Sequence, residues 1–414
     1  MTENQYIIQL ANGVRIVHKQ IQHSEIVHCG FMINAGSRDE NEDNNGVAHF
    51  IEHTVFKGTE KRKSHHILRR IENVGGELNA YTTREKTCYY ASSLKQYAAR
   101  SVDLLADITF NSIFPEKELV KEKKVILEEI DMYEDSPDES IYDEFYTYIF
   151  GSHPLGYNIL GSKKSVNLLN RSKIFDFIKK HYTADKLLLT IVGDLGRAQA
   201  ENLGKRFVEK MKVPQIDKST RKMPAMQQQF AVRKEKDFAQ SHVVIGCRSY
   251  SGLEPKRFGM ALINNILGAG GMSARLNMEV REKHALVYNI SSHYSTYQDA
   301  GVFTIYFGAD EKNVKRCTDI VYKELKKMRE VKFTDKQLKQ AKIQLIGQMA
   351  QVVENNGMHA QHQARSLLDY GKVIGFKEYL KEIEKITSSE LLEISNEIFE
   401  TGRISSLVYD QEKS

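Results

Sequence analysis

His49-Phe50-Ile51-Glu52-His53 places two imidazoles and a carboxylate within five residues. On a helix, residues four apart lie nearly above one another, so both rings can point at one ion. That is a ligand geometry for a divalent metal such as zinc. Glu52 borders the same face and can reach a water beside the ion without being a ligand. The arrangement is H-x-x-E-H, the reverse of the commoner H-E-x-x-H. Catalytic zinc takes three protein ligands and keeps one position open, so a third ligand must come from elsewhere in the chain. The same pentapeptide also fits an amphipathic helix with two surface histidines. Phe50, Ile51, Val55 and Phe56 favour a largely buried pair, and buried histidines need partners.

Other histidines and carboxylates weigh less. His359 and His362, with Glu354 nearby, fall in a stretch that is polar all round, which predicts surface histidines. His65 and His66 are adjacent and cannot both face one ion from a helix. His153 precedes Pro154 in a turn and reads as structural. The acidic run Glu128–Glu144 reads as a solvated face, part of which could line a substrate space.

The elements that must position the motif follow from periodicity. Ile7–Leu10, a turn at Asn12-Gly13 and Val14–Val17 predict a hairpin, followed by a strand over Ile26–Ile33. Helical spacing covers Val47–Phe56 and Ser64–Val74, and strands are expected at Glu77–Thr82 and Lys86–Ser92. Helices at Lys95–Thr109, Lys117–Tyr133 and Ser140–Phe150, a strand at Leu187–Val192 and a helix at Arg197–Lys210 complete the first half. Residues 213–229, with Pro214 and Pro224, read as a linker.

The programme then repeats. Strands are expected at Val243–Cys247, Val287–Tyr294 and Val302–Phe307. Helices are expected at Phe258–Leu267, Ser273–Lys283, Asn313–Arg329 and Asp335–Val353. In register, Phe114 and the residues after it match Phe333 and those after it, so Glu122 faces Ala341 and Glu129 faces Gln348. Aligning Gly46 with Gly259 sets His49, Glu52 and His53 opposite Leu262, Asn265 and Ile266. The second half keeps the scaffold and lacks the ionisable groups. The expected fold is α+β, with two structurally similar domains, each a mostly antiparallel sheet with helices packed on one face. The boundaries read as a metal-binding domain over 1–212, the linker over 213–229 and a metal-free domain over 230–414.

Composition excludes several classes. The 414 residues carry 59 basic and 54 acidic side chains. The basic run Lys61–Lys63 lacks interleaved aromatics, so no nucleic-acid partner is expected. Cys29, Cys88, Cys247 and Cys317 are far apart, which predicts reduced thiols rather than disulfides or a cysteine metal site. Met1–Gln5 shows no secretion signal and no window is apolar enough to span a membrane, so the cytoplasm is the expected location.

His49–Thr59, HFIEHTVFKGT, resembles the zinc motif of the pitrilysin and mitochondrial processing peptidase family. NAGSRDE at Asn34–Glu40, GGELNAYTTREKTCYYAS at Gly75–Ser92, HPLGYNILG at His153–Gly161 and the block from Gly270 to Ser292 extend the likeness over the whole chain. The resemblance implies one zinc ion per chain, held by His49, His53 and Glu129, with Glu52 as catalytic base. It implies Glu122, two helical turns before Glu129, as a supporting carboxylate, and Arg281 and Tyr288 near the substrate carbonyl. Asn79, Ala80, Tyr81 and Thr82 would form an edge strand that pairs with an extended peptide. The implied activity is zinc-dependent endopeptide hydrolysis of extended peptides or unfolded segments in a dimeric chamber, each site completed by the second copy of a homodimer. A non-catalytic peptide-binding or structural core-type subunit of the same fold is the alternative.

Overall fold

The computed structural model describes residues 4–214, 220–226 and 228–411. The first sheet has six strands: β1 (Gln5–Gln9), β2 (Arg15–Gln20), β3 (Ile26–Ile33), β4 (Glu77–Thr82), β5 (Thr87–Leu94) and β6 (Leu187–Gly193). Their order is β1-β2-β6-β3-β5-β4. Only β2 and β6 run parallel, so the sheet is mixed but mainly antiparallel. The second sheet contains β7 (Ala231–Lys236), β8 (Ser241–Ser249), β9 (Ile290–Thr296), β10 (Gly301–Ala309) and β11 (Ser405–Gln411). Its order is β7-β11-β8-β10-β9, again with one parallel pair, β7 with β11.

Helices of the first half are α1 (Val47–Thr54), α2 (Ser64–Glu72), α3 (Ala98–Asn111), α4 (Glu116–Glu134), α5 (Pro137–Phe150), α6 (Lys163–Leu168), α7 (Arg171–His181) and α8 (Arg197–Phe207). Those of the second are α9 (Arg257–Asn264), α10 (Glu311–Glu330), α11 (Asp335–Glu354), α12 (Asn356–Tyr370), α13 (Phe376–Lys385) and α14 (Ser388–Ile398). Helices α4 and α11 each start two residues after a buried phenylalanine, Phe114 or Phe333, as the internal match requires. Counted from the starts of α1 and α9, His49, Glu52 and His53 match Gly259, Leu262 and Ile263, beside Leu262, Asn265 and Ile266 in the Gly46–Gly259 register. Those positions carry no ionisable group either.

The chain packs into two compact units that are interleaved in sequence. One contains residues up to Asp131, Tyr157–Arg221 and Val352–Gly375; the other contains Met132–Gly156, Lys222–Gln351 and Phe376 onward. Each unit therefore takes a helix from the opposite half of the chain. In the first unit α3 covers one sheet face, where Phe31 meets Phe110 edge-on with centroids 5.5 Å apart. The neighbouring residue Met32 points the other way, and Val17, Cys88 and Leu188 join it against Ala364 and Leu367 of α12. Coverage on both faces explains why β6, LLLTIVG, is buried at every position. In the second unit Val243 and Ile245 face the core under α9, α10 and α14. Val244, between them, faces Phe145 and Ile149 of α5.

Helix α12 also corrects an expectation. His359 is buried, because small and polar residues (Ala360, Gln363, Ala364, Ser366) pack against the sheet. Its Nε2 lies 3.0 Å from Lys19 Nζ and 2.7 Å from Gln363 Nε2, and burial pushes it down to about 4. His362, His65 and His66 are exposed. Residues 215–219 and 227 of the linker lie outside the described residues. Arg221, in the same stretch, is almost enclosed; it bonds both oxygens of Asp39 and the carbonyls of Asn34 and Glu85.

Candidate metal centre

Helix α1 is held firmly at its start. Gly46 adopts φ +90°, and a Cβ there would sit 2.6 Å from the Leu160 carbonyl oxygen, so the turn needs glycine. The carboxylate of Glu40 accepts the backbone N–H groups of Gly46 and Ala48, both at 2.8 Å, and the Asn45 amide at 2.9 Å. A carboxylate at a helix N-terminus satisfies donors that the helix itself leaves unpaired. Burial pushes Glu40 up to about 8 against the pull of those three donors. Glu40→Gln keeps a single acceptor oxygen and should destabilise the fold by about 1–3 kcal/mol. A denaturant midpoint equal to that of the parent would show that the cap contributes nothing.

Phe50 and Ile51 anchor α1 in the core and leave His49 and His53 on the opposing side toward α4. Helix α4 buries Leu119, Glu122, Ile126 and Ile130, one stripe at helical spacing in which a glutamate occupies an otherwise apolar position. Glu129 flanks that stripe, and Glu128 is exposed.

Glu129 Oε2 lies 3.3 Å from His53 Nε2 and 3.7 Å from His49 Nε2. The two rings meet at 65° with centroids 4.6 Å apart. Two ligands bound at about 2.0 Å to a tetrahedral ion are themselves about 3.3 Å apart, so these separations fit a zinc site. Glu129 Oε2 is buried and, despite its proximity to the imidazoles, makes no aligned hydrogen bond. A buried, unsatisfied carboxylate oxygen between two ring nitrogens suits a cation. Among the described residues, these three form the one group of histidine, cysteine and carboxylate side chains with ligand atoms converging within 4.8 Å.

Electrostatics agree with the donor set. Burial, reinforced by His53, pushes His49 down to about 4 and leaves a neutral ring with a lone pair to donate. Burial alone would lower His53, yet the carboxylates of Glu129, Glu52 and Glu122 outweigh it and raise its pKa. His53 in turn draws Glu129 below the usual carboxylate range. Behind His53, its second nitrogen, Nδ1, is 3.4 Å from Glu122 Oε2, and Lys57 Nζ is 2.7 Å from Glu122 Oε1.

Glu52 stands beside the cluster, its Oε2 buried with no hydrogen-bond partner. Burial raises its pKa, moderated by Thr82 and His53. Thr82 ends β4, so the carboxylate adjoins the strand at the sheet margin. β4 pairs with β5 alone, and among the described residues no strand pairs with its other side. Asn79 is exposed there, and Ala80, Tyr81 and Thr82 are half-buried.

A family model described as insulinase, peptidase family M16, matches residues 15–163, and one described as the M16 inactive domain matches residues 169–345. The uncharacterized zinc protease YmxG of Bacillus subtilis is 32% identical, the alignment covering 94% of each chain. The chain belongs to peptidase family M16. An uncharacterized zinc protease of Rickettsia felis is 33% identical over 99% of this chain and 98% of its own. A protease from Helicobacter pylori shares the fold with a TM-score of 0.91, at 21% identity, over 98% of this chain and 99% of the other. The M16 fold thus spans both halves.

In this M16 chain Arg281 and Tyr288 belong to the second compact unit. Ala285, in the left-handed region at φ +49°, ends the helical turn that carries Arg281. The Arg281 guanidinium lies 6.0 Å from the Tyr288 ring centroid, and Tyr288 is 88% exposed. Sequence reasoning gave no role to Glu40, Lys57 or Arg221. Glu40 and Lys57 lie inside quoted family blocks, so a signal was present; Arg221 lies in the proline-bearing linker and had none. No described helix is long and apolar enough to cross a membrane.

Proposed function

We propose that this chain is a zinc-dependent endopeptidase with His49, His53 and Glu129 as ligands and Glu52 as general base. The observation that carries the reading is that donor atoms of His49, His53 and Glu129 lie within 4.8 Å of one another, with Glu129 Oε2 and the neighbouring Glu52 Oε2 both buried and without a hydrogen-bond partner. Zinc bound there would supply a Lewis acid and lower the pKa of a water molecule. Glu52 Oε2 takes the proton of the attacking water and passes it to the leaving amine nitrogen. The open edge of β4, over Asn79–Thr82, holds the backbone of an extended peptide, which favours unfolded segments over folded protein. Arg281 and Tyr288 donate hydrogen bonds to the developing oxyanion. The division into 1–212 and 230–414 marks the duplicated halves, only the first of which carries the metal ligands.

The protein acts in the cytoplasm as a homodimer, each zinc site completed by Arg281 and Tyr288 of the second copy. Supporting this is the occurrence of both residue sets in one chain. Purified protein should carry one zinc per chain and cleave a quenched, unstructured peptide in a chelator-sensitive manner. Full zinc occupancy without turnover would favour a peptide-binding or core-type subunit instead. Mixing Glu52→Gln with Arg281→Ala under subunit exchange should restore activity, since a mixed dimer holds one intact composite site. Confirmed exchange with no recovery would overturn the shared site.

A further inference from the structure

We propose that Lys57 is a positioning residue for the metal centre, acting through Glu122 on His53; the proposal rests on the zinc reading above. Lys57 lies four residues after His53, on the helical turn that continues α1, and so projects on the same side. Its Nζ meets Glu122 Oε1 at 2.7 Å, while Glu122 Oε2 faces His53 Nδ1 at 3.4 Å. One carboxylate thus bridges an ammonium and an imidazole, each of its oxygens committed to one of them.

Burial separates this chain from an ordinary surface ion pair. The Glu122 side chain is 11% exposed and that of Lys57 27%. A side chain so enclosed takes its orientation from the few groups that reach it, and Lys57 holds its Oε1. Glu122, so oriented, accepts the Nδ1–H of His53, which fixes the tautomer with its lone pair on Nε2, 3.3 Å from Glu129 Oε2. His49 has no such support: its Nδ1 is buried with no hydrogen-bond partner. Control of ligand orientation therefore falls on the His53 side, and Lys57 is the group that anchors it. Lys57 itself need touch neither metal nor substrate.

The test measures zinc dissociation constants by chelator competition on the full chain, alongside the thermal midpoint of the metal-free protein. Lys57→Met should weaken zinc binding about 10–100-fold, the usual effect of losing an outer partner of a metal ligand. Lys57→Arg, which keeps the cation, should stay near the parent. A double variant with Glu122→Gln should bind no more weakly than Glu122→Gln alone, because both changes break the same chain of contacts. Should Lys57→Met fail to fold, Lys57→Gln replaces it in the same comparison. Parental affinity in Lys57→Met or Lys57→Gln, or additive losses in the double variant, would overturn the proposal. Absence of stoichiometric zinc from the parent protein would overturn the zinc reading itself, an outcome distinct from the other two.

Discussion

Glu52→Gln is expected to cut peptide hydrolysis by roughly 10²–10⁴-fold, the range assigned to a positioned general base, and to leave zinc bound. Glutamine keeps the shape of the side chain and cannot take a proton. The fold should not suffer. Glu52 Oε2 is buried with no hydrogen-bond partner, and burial raises the pKa of the group, so the charge is unfavourable in the folded state near neutrality. A neutral amide removes that cost, and the thermal midpoint should equal or exceed that of the parent. Steady-state cleavage, metal analysis and a melting curve on one preparation decide the matter. Loss of zinc would make Glu52 a ligand, and retained turnover would remove it from the proton path.

Substituting a ligand should act on the metal first. His49→Ala, His53→Ala and Glu129→Gln should each weaken zinc binding by more than the about 10–100-fold typical of outer-shell changes, with cleavage lost in parallel. Glu128→Gln should change neither, since Glu128 is exposed on α4 while Glu129 Oε2 lies within 3.7 Å of both imidazoles. Competition against a chelator of known affinity measures all four. A reversal of the two glutamates would mean that α4 is rotated by one residue from the position described.

The candidate metal site was legible because its information is local. His49, Glu52 and His53 share a single helical stretch, and Glu122 and Glu129 are separated by two turns of another. Side-chain type and helical spacing were enough to group each set, and family likeness joined the two. What escaped notice depended on tertiary packing. The residues of α12 look polar in sequence, yet His359 and Gln363 are buried on a helix that packs against β3 and β6, with His359 Nε2 in contact with Lys19 Nζ and Gln363 Nε2. Hydrophobic periodicity cannot register a helix that buries small and polar groups. β11, SSLVYDQ, also went unassigned, although it lies between β7 and β8 in the second sheet. The pairing of Arg221 with Asp39 joins residues far apart in the chain, and no local pattern announces it.

The exchange of α5 and α12 between the halves bears on how the chain is made. A ribosome releases the six strands of the first sheet once Gly193 has emerged, yet the helix that closes their second face ends only at Tyr370. At roughly 5–20 residues per second, that face waits about 10–35 s for its cover. Met32, Val17 and Leu188 stay open to water or to a chaperone during the interval, and a nascent chain stalled in the linker would expose the same apolar patch.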